Sequence, residues 1–420
     1  MRLRVKNIGI LSDSEIEIAG ITVVAGENNT GKSTFGKALY AIFNALNRLE
    51  YRVDLAKRRS TVDLIKGMLA RGMTYDLEKW NHQSTKKLMN NKLTEDLISE
   101  IASACPQQNI NEKEIFIKKA EEILRMDEDL IKKKIILSSL KGEFRGQIKN
   151  QLKINEKSQI SLIVKGETTS VEIDDESAIY AKGLRNLEHT PVYIDDISSI
   201  FGNARLPNEL FQFVFNHRHN INMMDLLNSK IGNGAADAEE DIKVIWEILY
   251  DQQLEPVLKR LKEICHGSLI LVDGEIKFVD EMMSGVKLNL ANISSGLKTF
   301  LILQQLIRSG TICENGTVIM DEPEIHLHPK WQVVLAELIV MLQKVMSLHI
   351  LVTTHSPYFI SAIDVFSKKH KVIENNRYYF NSRNGNDVKV EDVTKSIYVI
   401  YDSLAGPYQT IQDEAMACQA

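Results

Sequence analysis

Cysteine is scarce in this chain of 420 residues, and its four cysteines form no CxxC pair. They lie far apart, at Cys105, Cys265, Cys313 and Cys418. A disulfide framework in a secreted domain shows closer and more regular spacing. The sequence therefore argues against a disulfide-stabilised fold and predicts reduced cysteines that serve in packing.

Long apolar runs are also missing. No stretch reaches the roughly 18 residues that a membrane helix needs, and the opening segment MRLRVKNIGI lacks the apolar core of a signal peptide. The formal net charge is only −5, which argues against a surface that attracts nucleic acid or membrane everywhere. We expect a cytoplasmic protein with no membrane partner.

The order of apolar patterns predicts an α/β fold. The first 25 residues contain three short apolar runs that predict strands, and residues 31–49 carry apolar side chains at helical spacing. Residues 52–155 are rich in Lys and Glu and predict a helical insertion. After a return of strand patterns and a second helical block, helices and strands alternate to the end, which predicts a mostly parallel sheet with crossover helices.

The segment GENNTGKST fits the phosphate-loop pattern G-x-x-x-x-G-K-[ST]. It lies between a predicted strand and a predicted helix, where backbone N–H groups and the helix N-terminus favour bound phosphate. Lys32 is expected to contact the outer phosphates of ATP, and Ser33 to offer its hydroxyl to Mg²⁺. The predicted nucleotide-binding residues here are Gly26, Asn28, Asn29, Thr30, Gly31, Lys32, Ser33 and Thr34.

A phosphate loop needs an acidic partner at the end of a neighbouring buried strand. The run TVIMDE supplies it, because an apolar strand ends there in two carboxylates. We expect Asp321 to join Ser33 in the Mg²⁺ shell and Glu322 to polarise the attacking water.

Histidines near this strand raise the alternative of a transition-metal site. The segment DEPEIHLHP, which begins at the end of this predicted strand, contains His326 and His328. A tetrahedral site needs further ligands, and neither an HExxH motif nor a cysteine pair lies nearby. A second H-x-H, from His217 to His219, is predicted to lie on a solvated helix or loop and is assigned no role.

Two further motifs complete the set in chain order. NISSGLKTF places Ser295 and Gly296 at a predicted helix N-terminus, which is another anion site. HILVTTHSP is an apolar strand that ends in His355. An isolated histidine is more often structural, but its place after the other three motifs favours a position beside the γ-phosphate. The candidate catalytic residues are therefore Glu322 and His355.

The four motifs together resemble those of ABC-class ATPases of the RecF, Rad50/SMC and OLD (overcoming lysogenization defect) group. The opening LRVKNIG with GENNTGKST resembles their first lobe, and SSGLK their signature motif. DEPEIHLHP resembles their Walker B motif and D-loop, and TTHSP their switch-histidine segment. The resemblance implies an ATPase head with a mixed central sheet, an N-terminal antiparallel part and helical insertions.

The resemblance also implies a division of the chain. Lobe I with the phosphate loop covers 1–50, and its strands return at 158–197 after a helical insertion at 51–157. A helical segment covers 198–266, and lobe II with the other three motifs covers 267–420.

Heads of this group dimerise head-to-tail around two ATP molecules, so the resemblance implies a homodimer or a higher even-numbered oligomer. Ser295 and Gly296 of one subunit would contact the γ-phosphate that Lys32 of the other holds. The segment from Glu324 to His328 would line the dimer interface.

Three departures from the group bear on function. Where a metal-contacting glutamine is expected, after PVYIDD, the chain offers only Asp195 and Asp196. No sustained heptads indicate a long coiled coil. Only 65 residues follow His355, too few for the Toprim nuclease domain of OLD nucleases, so we expect no nuclease within this chain.

Several functions remain open at this level. The resemblance is strongest to stand-alone, Septu-like ATPases of anti-phage defence, which regulate a separately encoded effector such as an HNH or Toprim nuclease. The alternatives are a RecF-like repair ATPase that binds DNA and a scaffold that binds ATP without hydrolysing it. For DNA, the basic runs at 57–59 and 132–134 would contact phosphates, although such runs more often form a solvated face.

Overall fold

The protein is described by a computed structural model over residues 1–69, 75–104, 110–175, 178–195, 219–220, 222–223, 226–227, 253–272, 275–283 and 285–418. It divides into two compact units. The larger unit contains Met1–Asn44, Ser139–Leu184 and His189–Ala420, and the smaller contains Ala45–Ser138 and Arg185–Glu188. The five-part division expected from the sequence stays a prediction, and most of its segment 198–266 lies outside the described residues.

Strands occur only in the larger unit, among the residues described. In chain order they are β1 (Arg2–Ile8), β2 (Leu11–Glu17), β3 (Ile21–Gly26), β4 (Ser158–Val164), β5 (Glu167–Asp175), β6 (Ala178–Lys182), β7 (Val192–Ile194), β8 (Gly267–Val272), β9 (Glu275–Asp280), β10 (Val286–Asn289), β11 (Thr317–Asp321), β12 (His349–Thr354), β13 (Arg377–Asn384) and β14 (Asp387–Asp392). The three strands predicted at the N-terminus are confirmed, as is the hairpin β8–β9, whose Asp273-Gly274 turn lies outside the described residues.

The strands form three sheets. An antiparallel sheet has the order β2-β1-β4-β5-β6, and a smaller one has the order β10-β9-β8. In β1, Leu3 and Val5 are buried while Arg2 and Arg4 are exposed, as the alternation of a half-buried strand requires.

The central sheet has the order β14-β13-β3-β12-β11-β7, and all its pairs are parallel except β13–β14. The expected α/β fold with a mixed central sheet and an antiparallel N-terminal part is thereby confirmed. Asp321 pairs with Thr353, and Thr354 pairs with Ala25. Because parallel strands end at the same edge, this register brings the phosphate loop, the acidic strand end and the segment of His355 together.

Helices of the larger unit cover this sheet. The helices of the chain are α1 (Lys32–Leu46), α2 (Leu49–Leu69), α3 (Tyr75–Asn90), α4 (Glu95–Ser103), α5 (Ile110–Leu124), α6 (Glu128–Phe144), α7 (Ser295–Arg308), α8 (Pro329–Met346), α9 (Pro357–Lys369) and α10 (Tyr398–Ala417). Phe300 of α7, Leu338 of α8 and Phe359 of α9 share one buried apolar cluster with Val23 and Val352 of the sheet. Each such side chain contributes about 1.5–3 kcal/mol through burial. Among the described residues, no helix combines the length and apolar character that crossing a membrane requires.

The smaller unit has an apolar core of its own, formed by α2–α5. Trp80 and Phe116 meet edge to face with ring centroids 6.1 Å apart, and Trp80 Nε1 donates to the backbone oxygen of Ile101 at 2.9 Å. The helical character predicted for this part of the chain is confirmed.

In the first basic run, Lys57 and Arg58 of α2 are buried, which corrects both interpretations for these two residues, while Arg59 is exposed. Lys57 Nζ donates to the backbone oxygen of Leu124 at 3.1 Å and to Glu128 Oε1 at 3.0 Å. Arg58 is paired with Asp54 at 2.8 Å. Lys57 therefore connects α2 with α5 and α6, and Arg58 pairs within α2, so neither cation is available to a phosphate backbone.

Candidate nucleotide-binding site

The loop between β3 and α1 has the backbone that close contact with phosphate requires. Gly31 takes a φ of +77°, which residues with a side chain rarely adopt. A Cβ at Gly31 would lie 2.8 Å from Cδ2 of Leu11, and one at Gly26 would meet the backbone oxygen of Asn381. The helix α1 begins at Lys32, so its unpaired N–H groups lie beside the loop. The loop thus places backbone donors where phosphate oxygens bind.

The ammonium group of Lys32 is held inside this loop. The residue is 4% exposed. Its Nζ donates to the backbone oxygen of Glu27 at 2.8 Å and lies 3.4 Å from Oε1 of Glu322. A buried lysine needs such oxygen partners, and phosphate oxygens supply the same kind of partner.

Two hydrogen bonds fix the middle of the loop. Thr30 is buried, and its Oγ1 donates to the backbone oxygen of Glu27 at 2.7 Å. Asn381 of β13 donates from Nδ2 to the backbone oxygen of Thr30 at 2.8 Å. No local pattern pointed to Asn381, because it lies 351 positions from Thr30 in an ordinary strand pattern.

The remaining predicted loop residues lie around this core. Asn28 and Asn29 are exposed, and Asn29 has a left-handed φ of +58°. The backbone N–H of Thr34 donates to the backbone oxygen of Gly31 at 3.1 Å, which closes the first turn of α1.

Asp321 ends β11 and connects the loop with two other strands. Its Oδ1 accepts from Ser33 Oγ at 3.0 Å and from Thr353 Oγ1, and its Oδ2 accepts from the hydroxyl of Tyr193 at 3.1 Å. Burial, with the Asp321 carboxylate nearby, raises the pKa of Tyr193 far above its usual range, so the hydroxyl stays protonated and donates. All the acceptor oxygens of Asp321 are therefore oriented by neighbours.

The donor set at this point fits Mg²⁺. The Ser33 hydroxyl and the Asp321 carboxylate are hard oxygen ligands 3.0 Å apart. Protein sites for Mg²⁺ with nucleotide typically use one or two such ligands and leave the other positions to water and phosphate. The pairing expected from the sequence is thus present in the geometry.

Glu322 bridges the loop lysine and the strand-end histidine. Its Oε1 lies 3.4 Å from Lys32 Nζ, and its Oε2 lies 3.4 Å from Nδ1 of His355. The residue takes a left-handed φ of +49°, a conformation that costs a non-glycine residue about 1–2 kcal/mol. This strained turn directs the carboxylate back toward the loop, as expected for a group that acts on bound nucleotide.

The AAA ATPase domain family (AAA_15) matches residues 1–360 of the chain. The chain belongs to this family. The match includes the phosphate loop, the Asp321–Glu322 pair and His355, so the clustered residues lie within the AAA ATPase domain.

Solved SMC head domains show a distant likeness to this chain. The SMC head domain from Thermotoga maritima is 10% identical, with a TM-score of 0.40 over 93% of this chain and 98% of that one. A structure described as the SmcHead bound to the C-winged helix domain of ScpA is 12% identical, with a TM-score of 0.45 over 93% of this chain and 97% of that one.

Ser295 and Gly296 lie at the start of α7 in the AAA ATPase domain. Ser294 caps this helix, because its Oγ accepts from the backbone N–H of Leu297 at 3.3 Å. Gly296 is buried, and a Cβ there would lie 3.0 Å from Cδ2 of Leu327. Among the described contacts, none joins Ser295 or Gly296 to the phosphate loop of the same chain.

The D-loop prediction needs a correction at Glu324. This residue is 3% exposed, and its Oε1 accepts from Thr354 Oγ1. Burial raises the pKa of Glu324 above its usual value. Glu324 therefore connects the D-loop to β12 within the subunit, while Ile325, His326 and His328 are exposed.

The histidines of DEPEIHLHP are exposed. His328 caps α8, because its Nδ1 accepts from the backbone N–H of Lys330 at 3.2 Å. His326 takes a left-handed φ of +67° in the turn before it. Among the described residues, no group of three His, Cys, Asp or Glu side chains could hold a metal ion.

The prediction that His219 lies on a solvated helix or loop is wrong, since the residue is only 2% exposed. Its Nδ1 donates to Glu143 Oε1 at 2.6 Å and its Nε2 donates to Asp195 Oδ2 at 2.8 Å. Asp195 is thus bound to this ring, while Asp196 and His217 lie outside the described residues. The signal for Asp195 was its place after an apolar strand, but nothing local pointed to His219.

The charge of His219 predicts a loss of stability in mild alkali. Burial lowers the pKa of this ring, but its hydrogen bonds to Asp195 and Glu143 outweigh burial and raise the pKa to about 9. A raised folded-state pKa gives stability that is complete below pH 6.5 and is lost as pH rises through 9, here by ~3 kcal/mol. Urea unfolding at pH 6 and pH 9.5 should show this loss in the parent protein.

The matched variant for this measurement is His219→Gln. It cannot titrate, so its free energy of unfolding should change less than the parent's between the two pH values. An equal change in both proteins would contradict a protonated His219.

Proposed function

We propose that this AAA ATPase domain hydrolyses ATP in a head-to-tail dimer and thereby regulates a separately encoded effector. The observation that carries the proposal is the convergence of Lys32, Glu322 and His355 beside the Ser33–Asp321 pair. A positive charge that can bind phosphate, a carboxylate that can accept a proton from water and two oxygen ligands for a metal lie together at one edge of the sheet. Phosphate release by the purified protein with ATP and Mg²⁺ tests the hydrolytic part.

The residues of the loop would bind and orient ATP. Backbone N–H groups of the loop and Lys32 would hold the phosphates, and Ser33 and Asp321 would hold Mg²⁺. Bound Mg²⁺ neutralises phosphate charge and favours in-line attack. Because Lys32 already lies in the loop beside oxygen atoms, little rearrangement is needed when phosphate oxygens replace them.

Glu322 is the proposed general base. Its carboxylate lies between Lys32 and His355, so it reaches the position where water would approach the terminal phosphate. A carboxylate there accepts a proton from the attacking water, and His355 holds the carboxylate and approaches the γ-phosphate itself. Hydrolysis then rests mainly on positioning and electrostatics.

Each complete site in the proposed dimer uses two subunits. Ser295 and Gly296 start a helix whose N-terminus favours an anion, and no described contact brings them to their own phosphate loop. We propose that they contact the γ-phosphate held by Lys32 of the second subunit. ATP would then hold the dimer together, as a homodimer or within a larger even-numbered oligomer.

Mixing two inactive variants tests this arrangement. Lys32→Ala and Ser295→Glu should each reduce hydrolysis to a few per cent, the second because a carboxylate repels phosphate. In a random mixture, half of the dimers combine the two variants. Each such dimer has both defects in one of its two sites, and its other site is intact. About a quarter of all sites are therefore intact, and phosphate release should recover to about a quarter of the parent rate.

The control for the mixture is Lys32→Ala mixed with Lys32→Ala,Ser295→Glu, in which no dimer has an intact site. Recovery in that control, or no recovery in the first mixture although size-exclusion chromatography shows mixed dimers, would contradict shared sites.

The effector is proposed to be a nuclease of the HNH or Toprim class in anti-phage defence. This part rests on the resemblance of GENNTGKST, SSGLK, DEPEIHLHP and TTHSP to stand-alone OLD-type ATPases. Direct contact with DNA through the first basic run is not part of the proposal, because Lys57 and Arg58 are buried and paired. Purification of the native complex with identification of the bound partner by mass tests it, and a purified protein without a nuclease would count against it.

A further inference from the structure

A buried, charged histidine lies one side chain away from the proposed metal ligand. Both ring nitrogens of His219 donate to carboxylates, of Glu143 at 2.6 Å and of Asp195 at 2.8 Å. Carboxylates only accept, so the ring carries both protons and a positive charge. Glu143 is 0% exposed and His219 is 2% exposed, so these two groups are removed from water, while the Asp195 side chain is partly exposed.

The charged ring lies against Tyr193. The two rings are stacked, with centroids 4.2 Å apart and an interplanar angle of 23°. Tyr40 of α1 meets His219 edge-on at 5.8 Å. A cation is attracted to the negative face of a tyrosine ring, most strongly where water is excluded, so His219 restrains the orientation of the Tyr193 ring.

Tyr193 in turn holds Asp321. Its hydroxyl donates to Asp321 Oδ2 at 3.1 Å. The approach depends on Gly36 of α1, where a Cβ would lie 3.0 Å from the Tyr193 hydroxyl oxygen. The ring is therefore confined between α1, the neighbouring strand β11 and His219, and its only described polar contact is the proposed metal ligand.

The residues after His219 attach the same short stretch to α1. Asn222 Nδ2 donates to the hydroxyl of Tyr40 at 2.5 Å and to Asn44 Oδ1 at 3.1 Å. Met223 and Leu227 are buried in the core of the larger unit. His219 and Asn222 thus contact both the helix that follows the phosphate loop and the tyrosine that contacts Asp321.

We propose that His219 is a positioning residue for the nucleotide site, which orients the Asp321 carboxylate for Mg²⁺ through the ring and hydroxyl of Tyr193. This inference rests on the proposed function, and it adds a route by which the short stretch that contains His219 and Asn222 influences nucleotide binding. An effector that displaces this stretch would weaken metal binding at Asp321 without touching the phosphate loop.

Packing alone does not account for this arrangement. Burying an ion triad costs desolvation energy, and an apolar residue of similar volume often fills such a place at no loss of stability. Groups that orient a metal ligand, in contrast, typically change metal affinity by 10–100-fold when they are removed. The geometry of His219, Tyr193 and Asp321 has the form of such an orienting chain.

Binding of Mn²⁺, measured by electron paramagnetic resonance in the presence of adenylyl imidodiphosphate, tests the chain. Tyr193→Phe and His219→Gln should each weaken Mn²⁺ binding about 10-fold. In the double variant the loss should be no larger than in Tyr193→Phe alone, because both residues act through one hydroxyl. Binding of the analogue without metal should be the same in all variants, since the phosphate loop is unchanged.

The controls are His82→Gln, an exposed histidine of α3, and Tyr398→Phe, an exposed tyrosine of α10. Neither should change Mn²⁺ affinity. A normal Mn²⁺ affinity in His219→Gln, with weakened affinity in Tyr193→Phe, would overturn the role of His219 and leave the proposed function intact. Losses that simply add in the double variant would also overturn it.

Two further outcomes are decisive. If His219→Gln does not fold, Asp195→Asn replaces it, because this change keeps the shape of the side chain and removes the charge that holds the ring. Weakened Mn²⁺ binding in Asp195→Asn supports the chain, and unchanged binding overturns it. A parent protein that binds no nucleotide at all would overturn the proposed function itself, which separates that failure from failure of the chain.

Discussion

Lys32→Ala should weaken ATP binding on the order of 100-fold or more, because hydrogen bonds to charged groups contribute about 1.5–3 kcal/mol each. The structure places the ammonium group within the loop, 2.8 Å from the backbone oxygen of Glu27, where alanine leaves no positive charge for phosphate oxygens. The backbone N–H donors of the loop remain in this variant, so we expect ATP to bind weakly at the same site.

Isothermal titration with ATP and Mg²⁺ measures this effect. Lys37→Ala is the matched control, since it removes a lysine from the same helix α1 outside the loop, and it should bind ATP like the parent. The melting temperature of both variants checks that the fold is retained. Normal ATP binding by folded Lys32→Ala would refute the assignment of the phosphate loop.

Glu322→Gln should reduce hydrolysis by about 10²–10⁴-fold while ATP binding is retained, because an amide does not accept the proton of the attacking water. Lys32 keeps its hydrogen bond to Glu27 in this variant, so the loop stays ordered. If ATP joins two subunits and hydrolysis releases them, the variant should accumulate as a dimer with ATP bound.

Phosphate release and light scattering after chromatography with ATP measure the two effects. Glu314→Gln is the control, because Glu314 is an exposed carboxylate before β11, and it should hydrolyse ATP at the parent rate. Hydrolysis at the parent rate by Glu322→Gln would show that another group activates the water. A parent that binds ATP without releasing phosphate would favour a scaffold that uses ATP only to hold subunits together.

The four motifs could be predicted because each depends on neighbours in the chain. A phosphate loop needs its glycines, lysine and serine within nine residues, between one strand and one helix, and all of these are local features. The same holds for the acidic end of β11 and the histidine after β12. These segments were expected to lie close together because parallel strands end at the same edge of a sheet.

The burial of several basic and acidic side chains could not be predicted in this way. Lys57 and Arg58 had the pattern of an exposed run, yet helices distant in sequence supply partners for both. Leu124 and Glu128 accept from Lys57, and the backbone oxygen of Met89 accepts from Arg58. Glu324 was expected at a dimer interface, and its burial depends on Thr354 of β12, thirty positions away. In each case the partner of a charge decides its burial, and that partner is not a local property of the sequence.

The sequence by itself determined the α/β class and the place of the phosphate-loop motif between a strand and a helix, because strand and helix periods and turn geometry are local. It also supplied the residues that are proposed to bind ATP and Mg²⁺. Only the tertiary structure decided what surrounds Asp321. Tyr193 contacts it from the neighbouring strand β7, and Asn381 contacts the phosphate loop from β13. His219 lies in a stretch without a motif and stacks on Tyr193. Side chains far apart in sequence approach one another only after the sheet and its helices have packed, so their contacts leave no periodic signal in the chain.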